Sequence, residues 1–287
     1  MYRLTFWGTR GSIPTPGPQT ARYGGNTACI SLRGPDHRLV ILDAGSGLRP
    51  LGHELMQNGK RGVAADVLLS HTHWDHIQGL PFFKPLSASG NRFCVYGAAQ
   101  EGVPLKEILR RQMDPMVFPV PLEALAARIE VHDIQEGEVP LRDFRVRAFR
   151  LRHPGTTLGY RLAPSDGGRE LAYVTDNELG PGGSYPVSAD WRARLVEFLA
   201  GTDILVHDAM YSDRFIRMRA GWGHSTPRQA VQLAAEAGCA RLFLFHHEPE
   251  HDDDTIDRLL ADARACAREV APKLVVEAAA EGTGFSL

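Results

Sequence analysis

Short β-rich runs recur along this chain, each ending in a turn that carries polar residues, and this rhythm restricts the fold more than any other feature. "YRLTFWG", "TACISLRG", "RLVILDAGSG", "DVLLSHTH" and "RFCVYG" fill the first hundred residues. "FRVRAFRLRHPG", "LGYRLA", "ELAYVTDNE", "DILVHDAM" and "RLFLFHHE" follow in the second half. Stretches such as "VLLS" and "LFLF" are apolar without interruption, as expected of strands covered on both faces. Helical segments come between. "WRARLVEFLAG" is amphipathic and closes with Gly201. "STPRQAVQLAAEAG" places Thr226 as N-cap, Pro227 at the first helical position, Gln229 where a capping box needs it, and Gly238 as the stop. "DDTIDRLLADARACAREV" is a third helix. Strands alternating with helices predict a layered α/β architecture.

At 287 residues the chain has room for a sizeable core. A hydrophobic content of 43% and a charged content of 23% are ordinary for a globular enzyme, and a net charge of −2 supplies no strong overall field toward nucleic acid or membrane. Cys29, Cys94, Cys239 and Cys266 form no C-x-x-C pair, and reduced core thiols are expected. The start, "MYRLTFWGTRGS", breaks into Gly and Arg before a signal-peptide apolar region forms, and no run approaches the ~20 apolar residues of a membrane span. A soluble cytoplasmic protein is the expectation.

Metal-binding or proton-carrying side chains recur where apolar runs stop: Asp43, "HTHWDH" at 71–76, His153, Asp176, His207–Asp208 and His246–His247. The carboxyl ends of strands are where open α/β sheets gather their ligands. The hexapeptide carries three of the chain's 12 histidines. After "DVLLS", strand direction puts His71 and His73 on one side, two residues apart, where two imidazoles can grip one metal. The following turn swings Asp75 and His76 away, either toward a second metal or to orient water on the first. A histidine cluster without metal would carry repulsive, titrating charge for no structural gain.

H-x-H-x-D-H after an apolar strand, with later His, Asp and His at strand ends, resembles the metallo-β-lactamase superfamily over nearly the whole chain. The resemblance implies an αββα four-layer sandwich, a single domain over residues 1–287 with two pseudo-related halves of about 1–145 and 146–287, and a dinuclear metal site along one edge. It implies that His71, His73 and His153 hold the first metal, that Asp75, His76 and His246 hold the second, and that Asp176 bridges them. His247 is the rival of His246. Asp43 matches a structural aspartate behind the hexapeptide. Histidine at position 73 disfavours the flavo-di-iron oxidoreductases of this superfamily. Aspartate at 176 stands where many zinc β-lactamases carry a thiolate. An all-nitrogen-and-oxygen donor set suits Zn²⁺ and tolerates Mn²⁺.

"ILVHDAMYSDRFIRMRAGWGHSTPRQ", with "FWGTRGSIP" and "YGGNTACI", is similar to the ribonuclease Z and cyclic-phosphodiesterase branch. There the resemblance implies His224 as the residue that assists the departing oxygen, with Asp208 supporting it in place of the usual Glu. Asp75 would accept a proton as well as ligate metal. The expected activity is a dinuclear metal-dependent phosphodiesterase acting on small cyclic or linear phosphodiesters through a metal-bridging hydroxide. A tRNA 3′-processing endonuclease and a carboxyl-ester, lactone or thioester hydrolase are the enzymatic alternatives. A metal-containing nucleic-acid-binding protein is the non-enzymatic one. The partners expected are a small phosphodiester, or RNA, and no membrane; a homodimer is compatible with the sequence.

Weaker signals remain open. "GTRGSIPTPGP" either cradles phosphate with its N–H groups or is an irregular loop. "DAGSGLRPLG" lacks the spacing of a dinucleotide loop. Arg214, Arg217 and Arg219, near His224, either meet phosphate or form a solvated charged surface, and "RRQMDPMVFPVPLEAL" either walls the site or packs. Trp74 is expected to be a packing residue.

Overall fold

The alternating runs assemble into two seven-stranded sheets, in a computed structural model that describes residues 2–35, 39–57 and 62–287. The first sheet contains β1 (Arg3–Gly8), β2 (Cys29–Arg33), β3 (Leu39–Leu42), β4 (Ala64–Leu68), β5 (Arg92–Gly97) and β6 (Arg128–Asp133). The second contains β7 (Gly137–Val139), β8 (Phe144–Arg150), β9 (Leu158–Pro164), β10 (Leu171–Val174), β11 (Ile204–Asp208), β12 (Arg241–Phe245) and β13 (Val275–Ala278). A last strand, β14 (Gly284–Ser286), returns to the first sheet beside β1. Both sheets repeat one pattern. β1 to β3 and β7 to β10 pair antiparallel, and β3 to β6 and β10 to β13 pair parallel.

The helices are α1 (Leu48–Leu55), α2 (Trp74–Ile77), α3 (Leu105–Gln112), α4 (Trp191–Leu199), α5 (Pro227–Glu236) and α6 (Asp253–Val270). Three apolar clusters define four layers. One lies between the sheets, where Phe6 packs against Phe243 with centroids 5.1 Å apart and Tyr173 packs against Phe245 at 5.7 Å. A second joins the second sheet to α4, α5 and α6, and a third joins the first sheet to α1 and α3. Each fully buried aromatic ring contributes about 1.5–3 kcal/mol by leaving water. The αββα sandwich is therefore the observed fold.

All ten runs named above become strands, with ends that shift by a few residues in most of them. β6, β7, β13 and β14 have no counterpart among them; all four lie at or next to sheet edges, and β7 and β14 have three residues each. α1 was hidden by Pro50 and Gly52 within its span. α5 carries the complete capping box: Thr226 Oγ1 accepts from Gln229 N, and Gln229 Oε1 accepts from Thr226 N. Such a cap contributes about 1 kcal/mol. Cys29, Cys239 and Cys266 are buried free thiols and Cys94 is half-buried. No described helix is long and apolar enough to cross a membrane.

Candidate metal centre

The strands β3, β4, β8, β10, β11 and β12 all end along one edge, and Asp43, the 71–76 hexapeptide, His153, Asp176, Asp208 and His246 lie at or just beyond those ends. Behind the edge sits Asp43, wholly buried, with a left-handed backbone (φ 59°). Its Oδ1 accepts from Ser70 N at 2.7 Å. Its Oδ2 accepts from Ser70 Oγ (2.8 Å), Tyr173 Oη (2.7 Å) and His76 Nδ1 (2.7 Å). Ser70 Oγ also lies 3.0 Å from His71 Nδ1. One carboxylate thus orients both the loop after β4 and two of its imidazoles. Asp43→Ala strips four donors of a buried acceptor. The expected cost is about 3–5 kcal/mol of unfolding free energy and about 10–100-fold in metal affinity, read by denaturant titration and competitive metal titration.

In front of Asp43 the ligand-type atoms converge. His71, His73 and His153 present nitrogens within 4.8 Å of one another; the nitrogens and carboxylate oxygens of His71, His76 and Asp176, and of Asp75, His76 and His246, are equally close. His153 Nε2 is 3.0 Å from His73 Nδ1. Asp176 stands between the groups: Oδ2 is 3.7 Å from the Nε2 atoms of His71 and His153, and Oδ1 is 3.2 Å from those of His76 and His246. Asp75 Oδ2 is also 3.2 Å from His76 Nε2 and His246 Nε2, and it accepts from Ser12 N at 2.7 Å. Ligand atoms about 2.0–2.1 Å from a tetrahedral Zn²⁺ would be about 3.3 Å apart, close to these spacings.

The donor set fits two divalent cations. Buried His71 Nε2 has no hydrogen-bond partner, although its ring is 2% exposed. His76 Nε2 faces three acceptor atoms at 3.2 Å, and a single N–H cannot serve them all. Burial, then the neighbouring imidazoles, holds His71 well below the usual histidine range, and burial takes His153 down to about 4. Neutral imidazoles with free lone pairs are what a metal requires. Burial opposes the charged forms of His76 and Asp176, yet their mutual attraction and that of their neighbours dominates; His76 is raised and Asp176 lowered. The nitrogens turned away from the centre are held by protein: His153 Nδ1 donates to Gly223 O at 3.0 Å, and His76 Nδ1 to Asp43.

Backbone strain is concentrated here. Ser12, Asp43, Asp176 and His246 all have φ between 47° and 62°, conformations that persist where the surroundings over-determine them. Two glycines permit the close packing: a Cβ on Gly11 would lie 2.4 Å from the His246 ring, and one on Gly223 would lie 2.0 Å from His153 Nδ1.

His224 opens the segment leading into α5. Its Nδ1 donates to Asp208 Oδ2 at 2.6 Å, and its ring stacks on that of His246 with centroids 5.1 Å apart. Asp208 Oδ1 accepts from Ser225 N (2.9 Å) and Met210 N (3.1 Å). These bonds draw the 224–225 backbone toward β11, so the short aspartate reaches the imidazole. Burial lowers the His224 pKa, but Asp208, then Asp176 and Asp75, outweigh it and push it up to about 9.

His246, not His247, faces the cluster. His247 turns away, its Nε2 donating to Ala279 O at 2.9 Å and its N–H to Thr9 O at 2.9 Å. His207 also points elsewhere, with Nδ1 bonded to Asp208 O and Nε2 beside Asn177. The expectation for Trp74 is corrected: between two ligand-type residues on α2, its ring is 61% exposed, since the turn that buries Asp75 and His76 leaves position 74 facing out. The 8–18 loop does not cradle an anion with residues 9–13 or 15, because their N–H groups are spent on Asn26 O, His247 O, Asp75 Oδ2, Gly11 O and Gly25 O. The 110–125 segment divides: Met113 is core, whereas Met116 and Val117 are exposed.

Glu178 was not singled out by sequence reasoning, because a glutamate four residues past a strand end reads as surface. It is 2% exposed and accepts four bonds, from Gly183 N, Tyr185 Oη, Gly221 N and Gly223 N. It clamps two loops together and thereby sets Gly223 against His153.

A family model described as beta-lactamase superfamily domain matches residues 38–247. Ribonuclease Z of Myxococcus xanthus is 26% identical over 304 residues, covering 92% of each chain. Among solved structures, a diphosphatase of the PhnP family superposes with a TM-score of 0.67 at 18% identity, over 100% of this chain and 98% of that one. The short form of human tRNase Z superposes with a TM-score of 0.64 at 22% identity, over 99% and 98%. The two superpositions concern the fold alone.

Proposed function

The chain belongs to the β-lactamase superfamily and is a hydrolase of that class, and we propose that it cleaves phosphodiesters with two divalent cations bound at the sheet edge. His71, His73 and His153 would hold the first cation, Asp75, His76 and His246 would hold the second, and Asp176 would serve both. Zn²⁺ matches the nitrogen and oxygen donors, and Mn²⁺ is tolerated. Bound there, the cations supply a water activated near neutral pH and neutralise charge on the phosphoryl oxygens.

The observation that carries the phosphodiester reading is His224. It is an imidazole stacked on His246 and locked by Asp208 at 2.6 Å, whose charge outweighs burial and raises the imidazole pKa. A positively charged donor at the rim of a cation pair suits a substrate whose leaving oxygen develops charge beside an anionic phosphoryl group. His224 Nε2 gives its proton to that oxygen while Asp208 keeps the ring oriented through Nδ1. Asp75, held by Ser12 N–H, accepts the proton from the attacking water.

A small cyclic or linear phosphodiester is the first substrate class, in keeping with a net charge of −2. RNA is the second, favoured by the name ribonuclease Z carried by the Myxococcus relative. The test combines metal analysis with assays of bis(p-nitrophenyl) phosphate, 2′,3′-cyclic nucleotides and a precursor tRNA after Zn²⁺ or Mn²⁺ loading. Two metals per chain with turnover of the small diesters is the expected result. Cleavage of tRNA alone would transfer the assignment to RNA processing. Two metals with cleavage of esters, lactones or thioesters and of no phosphodiester would overturn it.

A further inference from the structure

A line of ring contacts leads outward from His224. Tyr211 meets the His224 ring edge-on with centroids 5.5 Å apart. The Arg219 guanidinium lies 5.7 Å from the Tyr211 ring centroid and 4.4 Å from that of Trp222. Trp222 is itself 53% exposed, a large apolar surface to leave in water two residues from His224. Its position is nonetheless built. Glu178 Oε2 accepts from Gly221 N (2.9 Å) and Gly223 N (3.0 Å), gripping the backbone on both sides of the indole, and Trp222 N donates to Arg219 O at 3.1 Å. Nothing in the proposed reaction uses Arg219 or Trp222.

We infer that Trp222, backed by Arg219, is a nucleoside subsite that receives the base on the leaving-group side of the phosphodiester. This rests on the phosphodiesterase reading, in which His224 marks the leaving-group side. A rigid, half-exposed indole with a guanidinium against it offers a flat π-surface next to fixed positive charge. A nucleobase joined to a phosphate matches both features, whereas an uncharged acyl chain or sugar can meet the indole but not the guanidinium. Arg214 and Arg217 lie on the same segment of the chain as Arg219 and add to its positive charge.

The test compares a dinucleoside monophosphate with its analogue carrying an abasic sugar on the leaving side, using Zn²⁺- or Mn²⁺-loaded protein. The wild type should prefer the intact substrate by about tenfold or more in kcat/KM. Trp222→Ala should remove most of that preference, and Trp222→Phe, which keeps a stacking face, should retain it. An unchanged ratio in Trp222→Ala would overturn the inference. So would equal losses on both substrates, since the indole would then only be holding the loop. Should the wild type cleave neither these diesters nor bis(p-nitrophenyl) phosphate, the phosphodiesterase reading fails separately. Titration with adenosine 5′-monophosphate, followed by tryptophan fluorescence, then decides the subsite. Quenching present in the wild type and lost in Trp222→Ala supports it; any other pattern removes it.

Discussion

Asp176→Asn is expected to lower turnover by at least about a thousandfold, because several kcal/mol of transition-state charge stabilisation depend on both cations being held. The two oxygens of Asp176 address the two groups of ligand-type atoms separately, at 3.7 Å on one side and 3.2 Å on the other. Removing its charge leaves the nitrogens of four histidines facing one another, with Asp75 and Asp208 as carboxylates beside His246. Metal analysis after dialysis should show fewer than two ions per chain. Asparagine is the informative replacement because it keeps the shape and tolerates the left-handed backbone at φ 47°. Alanine would add a backbone penalty and confound stability with metal loss. Full metal content with turnover within tenfold of the wild type would contradict the shared-ligand role.

His224→Ala should leave both metals in place yet cost about 10²–10⁴-fold in kcat on a diester with an alkoxide leaving group. The loss should be far smaller with p-nitrophenyl esters, whose leaving oxygen needs no proton. That contrast separates proton donation from a structural role, since a distorted site would penalise both substrates alike. The pH profile offers a second check. The protonated imidazole is the active form, so the wild-type rate falls as pH rises through the His224 pKa. That pKa is about 9 with Asp75 and Asp176 fully charged, and cations held by those carboxylates move it downward. The high-pH limb should therefore lie at or below about 9 and vanish in His224→Ala. Equal losses on both substrates with an unaltered profile would remove His224 from proton transfer.

Much of this centre is readable along the chain. The spacing of "HTHWDH" after "DVLLS" already separates His71 and His73 from Asp75 and His76, because side chains alternate along an extended strand and a turn then reverses the pattern. His153, Asp176, Asp208 and His246 are flagged by their place just beyond apolar runs. Glu178 and Tyr173 are not, since their partners lie tens of residues away and their own neighbourhoods look ordinary. The reading of Trp74 failed for the opposite reason: local pattern favoured packing for a tryptophan, whereas the turn geometry of α2 turns it out to solvent.

The sequence alone determined the α/β alternation, the ten β-rich runs, the capped helix at Thr226 and the ligand-type side chains at strand ends, because each is encoded within a window of a few residues. Tertiary structure decided what distance decides. Gly11 packs against His246, and left-handed φ at 246 turns that ring inward while His247 is tied to Ala279. Asp208 reaches His224 because Ser225 N is drawn to its other oxygen. Such choices come from contacts between residues far apart in the chain, whose separation in space no local pattern carries.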